Sequence, residues 1–349
     1  MTRSRPKHPA RRPRRRRRPS AVVAVAVLAL SALLAACGGG GSGGGGGQSS
    51  GSDGGLKVGV FFPGSVSDTG FMESGYRGYQ RAQKALGNNV ELSYVEKVEA
   101  TDYTQALVRF ASRNDLVVSM GGQTDADVRK VAAQFPDVKF VEIGGPADAK
   151  PMANLAYYDP QQAEAEYLGG AVAAVTSKSG RVAYIGGIEL PAIVNSSKSF
   201  ANGAKASRKN INVLKAQYVG DFNDPSKAKQ SAAAVVGAGA DVLGQQLNLG
   251  KQGLEQVLAP KNGRMIGGPI PGDCSNKTVA GYVVTDTGKE IEYAIDAVRK
   301  GTWKAAQVPF GLTTNRGGTD FKLCSKDPAV KSALDNARQA VASGGVKPY

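Results

Sequence analysis

The sequence predicts an α/β protein of two doubly wound, Rossmann-like lobes joined by a hinge, and three observations predict it. From Leu56 onward, short runs rich in Val, Ile, Tyr and Phe alternate with longer amphipathic segments, which is the pattern of βαβ units with right-handed crossovers. After a long helix around Leu168 the same pattern starts again. The body spans residues 56–349, and single hydrophobic cores stop growing at about 250 to 300 residues, so two cores are expected.

Each element has its own signal. Lys57–Phe62, Val90–Val95, Leu116–Met120 and Val138–Ile143 are apolar runs that read as buried parallel strands. Between them, Phe71–Leu86 and Ala126–Phe135 read as helices. Tyr103, Leu107, Phe110 and Ala111 mark one face of another, with Thr101 or Asp102 as its N-cap. Leu168, Ala171, Val172 and Val175 share a face of the long helix that follows. The second half offers strands at Arg181–Ile185, Val213–Val219, Asp241–Leu247, Met265–Ile270 and Val279–Thr285, with helices starting near Pro191, Asp224, Gly250 and Gly288. Pro309–Cys324 reads as a strand pair and Pro328–Val341 as a closing helix. The expected division is 56–158 with part of 286–310 for one lobe, and 159–285 with part of 311–349 for the other. Two such lobes leave a cleft lined by the loops at the carboxyl ends of their strands, where open α/β sheets bind small molecules.

Charge is unevenly placed. The 349 residues carry 44 Lys+Arg against 29 Asp+Glu, a formal net of +15. Ten of the basic residues and none of the acidic ones lie in residues 1–36, which leaves 34 against 29 on the rest, a net of +5. The basic excess is therefore a short arm and not a nucleic-acid-binding face. The lone histidine, His8, lies in the arm as well. A body without histidine has no Ser/His/Asp or Cys/His nucleophile system and no His-ligated metal. No GxxxxGK[ST] follows any strand and no GxGxxG does, so neither a nucleotide-hydrolysing loop nor a dinucleotide site is expected, and no cofactor.

The arm itself is an address. Arginine-dense residues 3–18 precede an apolar run from Ala21 to Leu34, which ends in Leu34-Ala35-Ala36-Cys37. The run is shorter than the roughly 20 residues that a membrane-crossing helix needs. Leu-Ala-Ala-Cys resembles the lipobox of bacterial lipoproteins, which implies cleavage after residue 36 and a lipid on Cys37. From Gly38 to Gly55 the chain holds 12 glycines in 18 residues. Residues 37–55 then form a flexible tether spanning about 23 Å. Outside the cytoplasm, the remaining pair Cys274 and Cys324 is expected to form a disulfide closing a loop of about 50 residues, the alternative being two separate buried thiols.

Three stretches carry a family resemblance. Ser67-Asp68-Thr69-Gly70-Phe71-Met72-Glu73-Ser74-Gly75-Tyr76-Arg77-Gly78 follows the first strand. Val138–Ile143 is followed by Tyr167-Leu168-Gly169-Gly170-Ala171-Val172-Ala173-Ala174. Val182–Pro191 leads to Phe200-Ala201-Asn202-Gly203-Ala204, then to Asp221-Phe222-Asn223-Asp224-Pro225 and Gly239-Ala240-Asp241-Val242. In this order, behind a lipobox, they resemble the basic membrane protein family of substrate-binding lipoproteins, over Leu56 to about Trp303. The resemblance implies a type I periplasmic-binding-protein fold and a receptor held at the outer face of the cell membrane by its lipid alone. It also implies a nucleoside-like solute and an ABC permease as partners.

Candidate ligand contacts follow from the loops. Asp68 and Thr69 offer a carboxylate and helix N-terminal groups to sugar hydroxyls, the alternative for Asp68 being an N-cap. Phe71 stacks on a purine face or joins the lobe core. Gly122 lets backbone approach the ligand, while Gln123 and Asp125 present polar edges. Glu189, Gln246, Asn248 and Asp273 stand at or just past strand ends of the second half, as cleft groups or as turn residues satisfying their own backbone. Where the family places a second aromatic this chain has Ser196, where it has Asn this chain has Met72, and Lys289 is the nearest candidate for an expected lysine. A sugar or another polar solute is the alternative ligand, and a sensor signalling through a membrane partner the alternative role. Catalysis has no support in the residue inventory, and monomer is the default state.

Overall fold

The computed structural model describes residues 55–349, apart from the side chain of Asn88. The leader, Cys37 and nearly all of the tether lie outside the described residues. The first half builds strands β1 (Leu56–Phe61), β2 (Val90–Val95), β3 (Leu116–Met120), β4 (Lys139–Ile143) and β5 (Leu155–Asp159), joined in part by helices α1 (Phe71–Leu86), α2 (Tyr103–Ala111) and α3 (Asp125–Gln134). Every residue of β3 is buried, as a strand covered by helices on both faces requires. The second half begins with α4 (Gln162–Thr176) and continues through β6 (Arg181–Gly186), α5 (Pro191–Ser207), β7 (Asn212–Val213), β8 (Gln217–Tyr218), α6 (Pro225–Gly237), β9 (Val242–Gln246), α7 (Lys251–Leu258), β10 (Arg264–Gly267) and β11 (Val279–Thr285). Then come α8 (Gly288–Arg299), β12 (Gln307–Pro309), β13 (Thr319–Leu323) and α9 (Pro328–Ala342).

The strands form two sheets with one plan. The first runs β12-β5-β4-β3-β1-β2 and is parallel throughout, while the second runs β13-β11-β10-β9-β6-β7, with β8 also on β6. Each sheet thus places its initial strand between its second and third, and only β13, antiparallel to β11, departs from parallel pairing. The chain crosses between sheets three times: at Pro160–Gln161 before α4, at Asp286–Thr287 before α8, and over residues 310–318 between β12 and β13. Separate buried apolar clusters cover the two faces of each sheet.

The structure adds one strand and corrects four local expectations. β5 carries no signal strong enough to separate it from the preceding loop, because its apolar run is only four residues long. Val213–Val219 splits into β7 and β8, two short pieces that bond to β6 at its two ends. The strand begun at Met265 stops at Gly267, since Pro269 has no N–H for a ladder. Pro309–Cys324 is not a pair, because β12 joins the first sheet and β13 the second. Asp102 precedes α2 without capping it through its side chain.

Helices α4 and α5 pack on each other through glycine. A Cβ on Gly170 would lie 2.0 Å from the Phe200 carbonyl oxygen, and one on Gly203 would lie 2.0 Å from that of Tyr167. The paired glycines bring backbone against backbone, which explains the small residues within both motifs. In the same lobe Cys274 and Cys324 form a disulfide, with Cα atoms 5.3 Å apart, tying the loop after β10 to the end of β13. The bond closes 50 residues of chain. On the chain-entropy model this contributes about 4 kcal/mol. Replacing both cysteines by serine is therefore expected to lower stability by a few kcal/mol in denaturant titration of the soluble body, and an unchanged midpoint would contradict the entropic account.

Candidate functional site

A cavity of about 220 Å³ opens between the carboxyl ends of the two sheets. The loops that line it follow β1 and β3 on one side and β6 and β9 on the other, the points where strand order reverses in each sheet. Its size is below the roughly 300 Å³ at which drug-sized sites begin, so the space suits a small metabolite.

Asp68 stands at the centre of the first-lobe wall and is 2% exposed. Its Oδ1 accepts from the backbone N–H of Gly70 at 2.7 Å and of Glu73 at 3.1 Å, and its Oδ2 accepts from Met72 N–H at 3.3 Å. The carboxylate thus satisfies the free amides at the start of α1. Across the cleft, Asn248 Nδ2 donates to Oδ2 at 2.8 Å. Burial raises the Asp68 pKa, and the three backbone donors oppose that rise. Capping and facing the cleft are therefore one arrangement. A second bond between lobes runs from Lys251 Nζ to the Thr69 carbonyl at 2.6 Å. Burial pulls the Lys251 pKa down, against the pull of Asp68 and Glu73.

Two aromatic rings face the cavity from opposite lobes. Phe71, first residue of α1, lies over Gly144, where a Cβ would come within 2.9 Å of its Cζ. Phe222 lies over Gly187, where a Cβ would sit 2.2 Å from its ring. Both glycines immediately follow strands, β4 and β6, and both rings stand just ahead of or at a helix start. Asp224 caps α6 with bonds to Ser226 and Lys227 amides at 2.8 and 3.1 Å, so the loop carrying Phe222 is anchored as Asp68 anchors Phe71. The floor is polar. Tyr184 Oη lies 3.1 Å from Glu166 Oε1 and 3.1 Å from Gln246 Oε1, and Gln246 Nε2 donates to Gln162 Oε1. Burial pushes the Glu166 carboxyl up to about 8. The lining residues include no lysine or arginine.

Asp68, Phe71, Gly122, Gln123, Gln246 and Asn248 line this cavity. The other six candidates lie off it. Thr69 turns with φ of 56° and meets the opposite lobe only through its carbonyl. The Asp125 carboxylate points behind the wall, accepting from the Tyr157 hydroxyl at 2.6 Å beside the buried Glu142. Glu189 and Lys289 are exposed, the latter lying along Gly317. Asp273 is exposed and accepts from the Ser275 amide of its own turn at 2.9 Å. Ser196 is fully buried on α5, and the aromatic sought there comes instead from Phe222 in the loop before α6.

Sequence reasoning also passed over Tyr103, Gln162, Glu166 and Asn223, all of which line the cavity. Gln162 and Glu166 had a readable signal: an i, i+4 polar pair on a helix made otherwise largely of Ala, Gly, Leu and Val.

Several known proteins are similar to this chain. A purine-binding protein of Brucella abortus is 28% identical over 299 residues, covering 84% of this chain and 83% of its own length. An ABC transporter nucleoside-binding protein of Lactococcus lactis is 26% identical over 306 residues, covering 80% and 85%. An ABC transporter solute-binding protein of Aeropyrum pernix superposes with a TM-score of 0.72 at 18% identity, over 84% of this chain and 92% of that one. One from Conexibacter woesei gives 0.65 at 21%, over 84% and 98%. These two share the type I solute-binding fold. The family model described as ABC transporter substrate-binding protein PnrA-like matches residues 56–340. The chain belongs to this Bmp family of ABC transporter substrate-binding proteins, which bind solutes and are not enzymes.

Proposed function

We propose that the protein is the receptor for a purine nucleoside, captured between its lobes and delivered to the permease of an ABC importer. The observation that carries this reading is the pair of rings, Phe71 and Phe222, facing one small cavity from opposite lobes above a floor of hydrogen-bonding groups. A flat heteroaromatic base is the chemistry that two such rings receive, and the polar groups of Asp68, Asn248, Gln123 and Gln246 suit the hydroxyls of a sugar and the edges of a base. The names of the Brucella and Lactococcus relatives support the same class. A wall without lysine or arginine favours the nucleoside over its phosphates.

The lobes, residues 56–159 with 288–309 and residues 162–285 with 319–349, close on the solute because it binds the closed arrangement better than the open one. The leader of residues 1–36 directs export, Cys37 carries the lipid, and residues 37–55 hold a monomeric body near the permease at the outer face of the membrane. Among the described residues no helix is long and apolar enough to cross a bilayer.

A thermal-shift screen of the body from residue 53 onward against nucleosides, sugars and amino acids tests the ligand class. Adenosine or inosine at a hundred times its dissociation constant is expected to stabilise by about 2.7 kcal/mol, a shift of several degrees. A shift with sugars alone would overturn the nucleoside assignment. Phe71→Ala and Phe222→Ala are each expected to weaken nucleoside binding roughly tenfold by calorimetry, in line with the loss of one stacked ring. Cys37→Ser is expected to move the protein from the membrane fraction to the soluble fraction, and retention in the membrane would contradict the anchor.

A further inference from the structure

Glu166 is the one carboxyl of the cavity wall with an oxygen left over. It is 1% exposed, and Oε2 is buried without a hydrogen-bond partner, whereas both Asp68 oxygens are occupied. Beside Oε2 lies Gly169 of its own helix, and the side chains of Ile266 on β10 and Val283 on β11 border the same glycine. Tyr184 on β6 is the titratable side chain that meets Glu166, and Gln246 on β9 completes that side. None of these carries a charge. An ionised carboxylate here would lack any cation to offset its desolvation. Burial accordingly raises the Glu166 pKa from 4.5 to about 8, and Tyr184, pushed far above its ordinary range, keeps its own proton.

The network shows where the acid proton goes. Tyr184 has one hydrogen and faces two acceptor oxygens. With Glu166 neutral, its Oε1–H donates to the Tyr184 oxygen, Tyr184 donates to Gln246 Oε1, and Gln246 Nε2 donates to Gln162. Oε2 is then a carbonyl-like acceptor, the one unpartnered oxygen of a buried side chain that lines the cavity.

We propose that Glu166 acts as an uncharged acceptor for a neutral N–H or O–H of the solute, and thereby sets the upper pH limit of solute binding. The inference rests on the cleft being the solute site, and it makes Glu166 a specificity group. A neutral donor on the solute is favoured over an ammonium group, which would demand the ionised acid.

Calorimetric titration with adenosine, whose base does not titrate in this range, tests it at about pH 7 and about pH 9 with wild type and Glu166→Gln. The ratio of wild-type to variant dissociation constant is expected to rise roughly tenfold between the two, because above about pH 8 wild type must regain a proton to bind. A ratio that stays constant would overturn the proposal. Glu166→Leu, which removes the acceptor, is expected to bind adenosine at least about tenfold more weakly than Glu166→Gln at both values, and equal binding would also count against it. Should wild type fail to bind adenosine at all, the nucleoside reading falls, and the infrared difference between wild type and Glu166→Gln decides the state of the acid. A protonated-carboxyl band at about pH 7 that vanishes as pH passes 9 supports the uncharged acid, and a carboxylate signal at about pH 7 ends it. The same comparison in thermal melts has a fixed sign. The raised pKa contributes stability to wild type below about pH 4.5, and that contribution is lost as pH rises through about 8.

Discussion

One buried carboxylate ties the start of the first lobe's helix α1 to the opposite lobe. Asp68 collects three amides from the start of α1 and a fourth donor, the Asn248 amide, from the other side of the cleft. Buried anions persist only where donors replace the water they lose, and here the donors come from both halves. The first three fix where α1 begins and so aim Phe71 over Gly144. The fourth makes the same oxygen a contact between lobes, joined by the Lys251 bond to the Thr69 carbonyl close by. Geometry of the ring, start of the helix and approach of the lobes are therefore set by one side chain.

The second lobe repeats the device with different parts. Phe222 rests on Gly187 as Phe71 rests on Gly144, and Asp224 caps the helix after it. Both sheets have the same strand order, so the same loops reach the cleft from either side. Where the lobes differ is the floor, which only the second supplies: α4 runs buried across the face of the sheet and carries Gln162 and Glu166 to the cavity. The first lobe lines the cavity with backbone-anchored groups, the second with a side-chain network rooted in its core.

Much of this was legible. Continuous apolar runs such as Leu116–Met120 announce buried parallel strands, and the restart of the pattern after α4 announces a second lobe. Asp68 and Phe71 could be found because the residues that cap and stack lie together on one loop. Phe222 could not be paired with Phe71 in this way, since periodicity does not tell which of the second lobe's loops comes forward. The position at which the family resemblance places a second aromatic is Ser196, which α5 buries in its packing. Glu189 and Asp273 show the opposite failure: a polar residue at a strand end is as well served by water or its own turn as by a ligand, and chain position does not separate the cases. Glu166 was hidden by its type, because an acid in a helix ordinarily faces solvent, and only the packing of α4 against α5, β9 and β11 turns it inward.

The three crossings between sheets decide what kind of freedom remains to the pair of lobes. Pro160–Gln161 and Asp286–Thr287 are two residues long, and residues 310–318 run beside them. Short parallel straps act together as a door hinge: they bend easily about the line that joins them and resist rotation about any other axis. Under the proposed closure each lobe, with its tightly packed helices, would move as a solid, so that the angle of one swing would describe the whole of the movement. A membrane partner that gauged the separation of two points on the rims would then have read everything the proposed receptor can report.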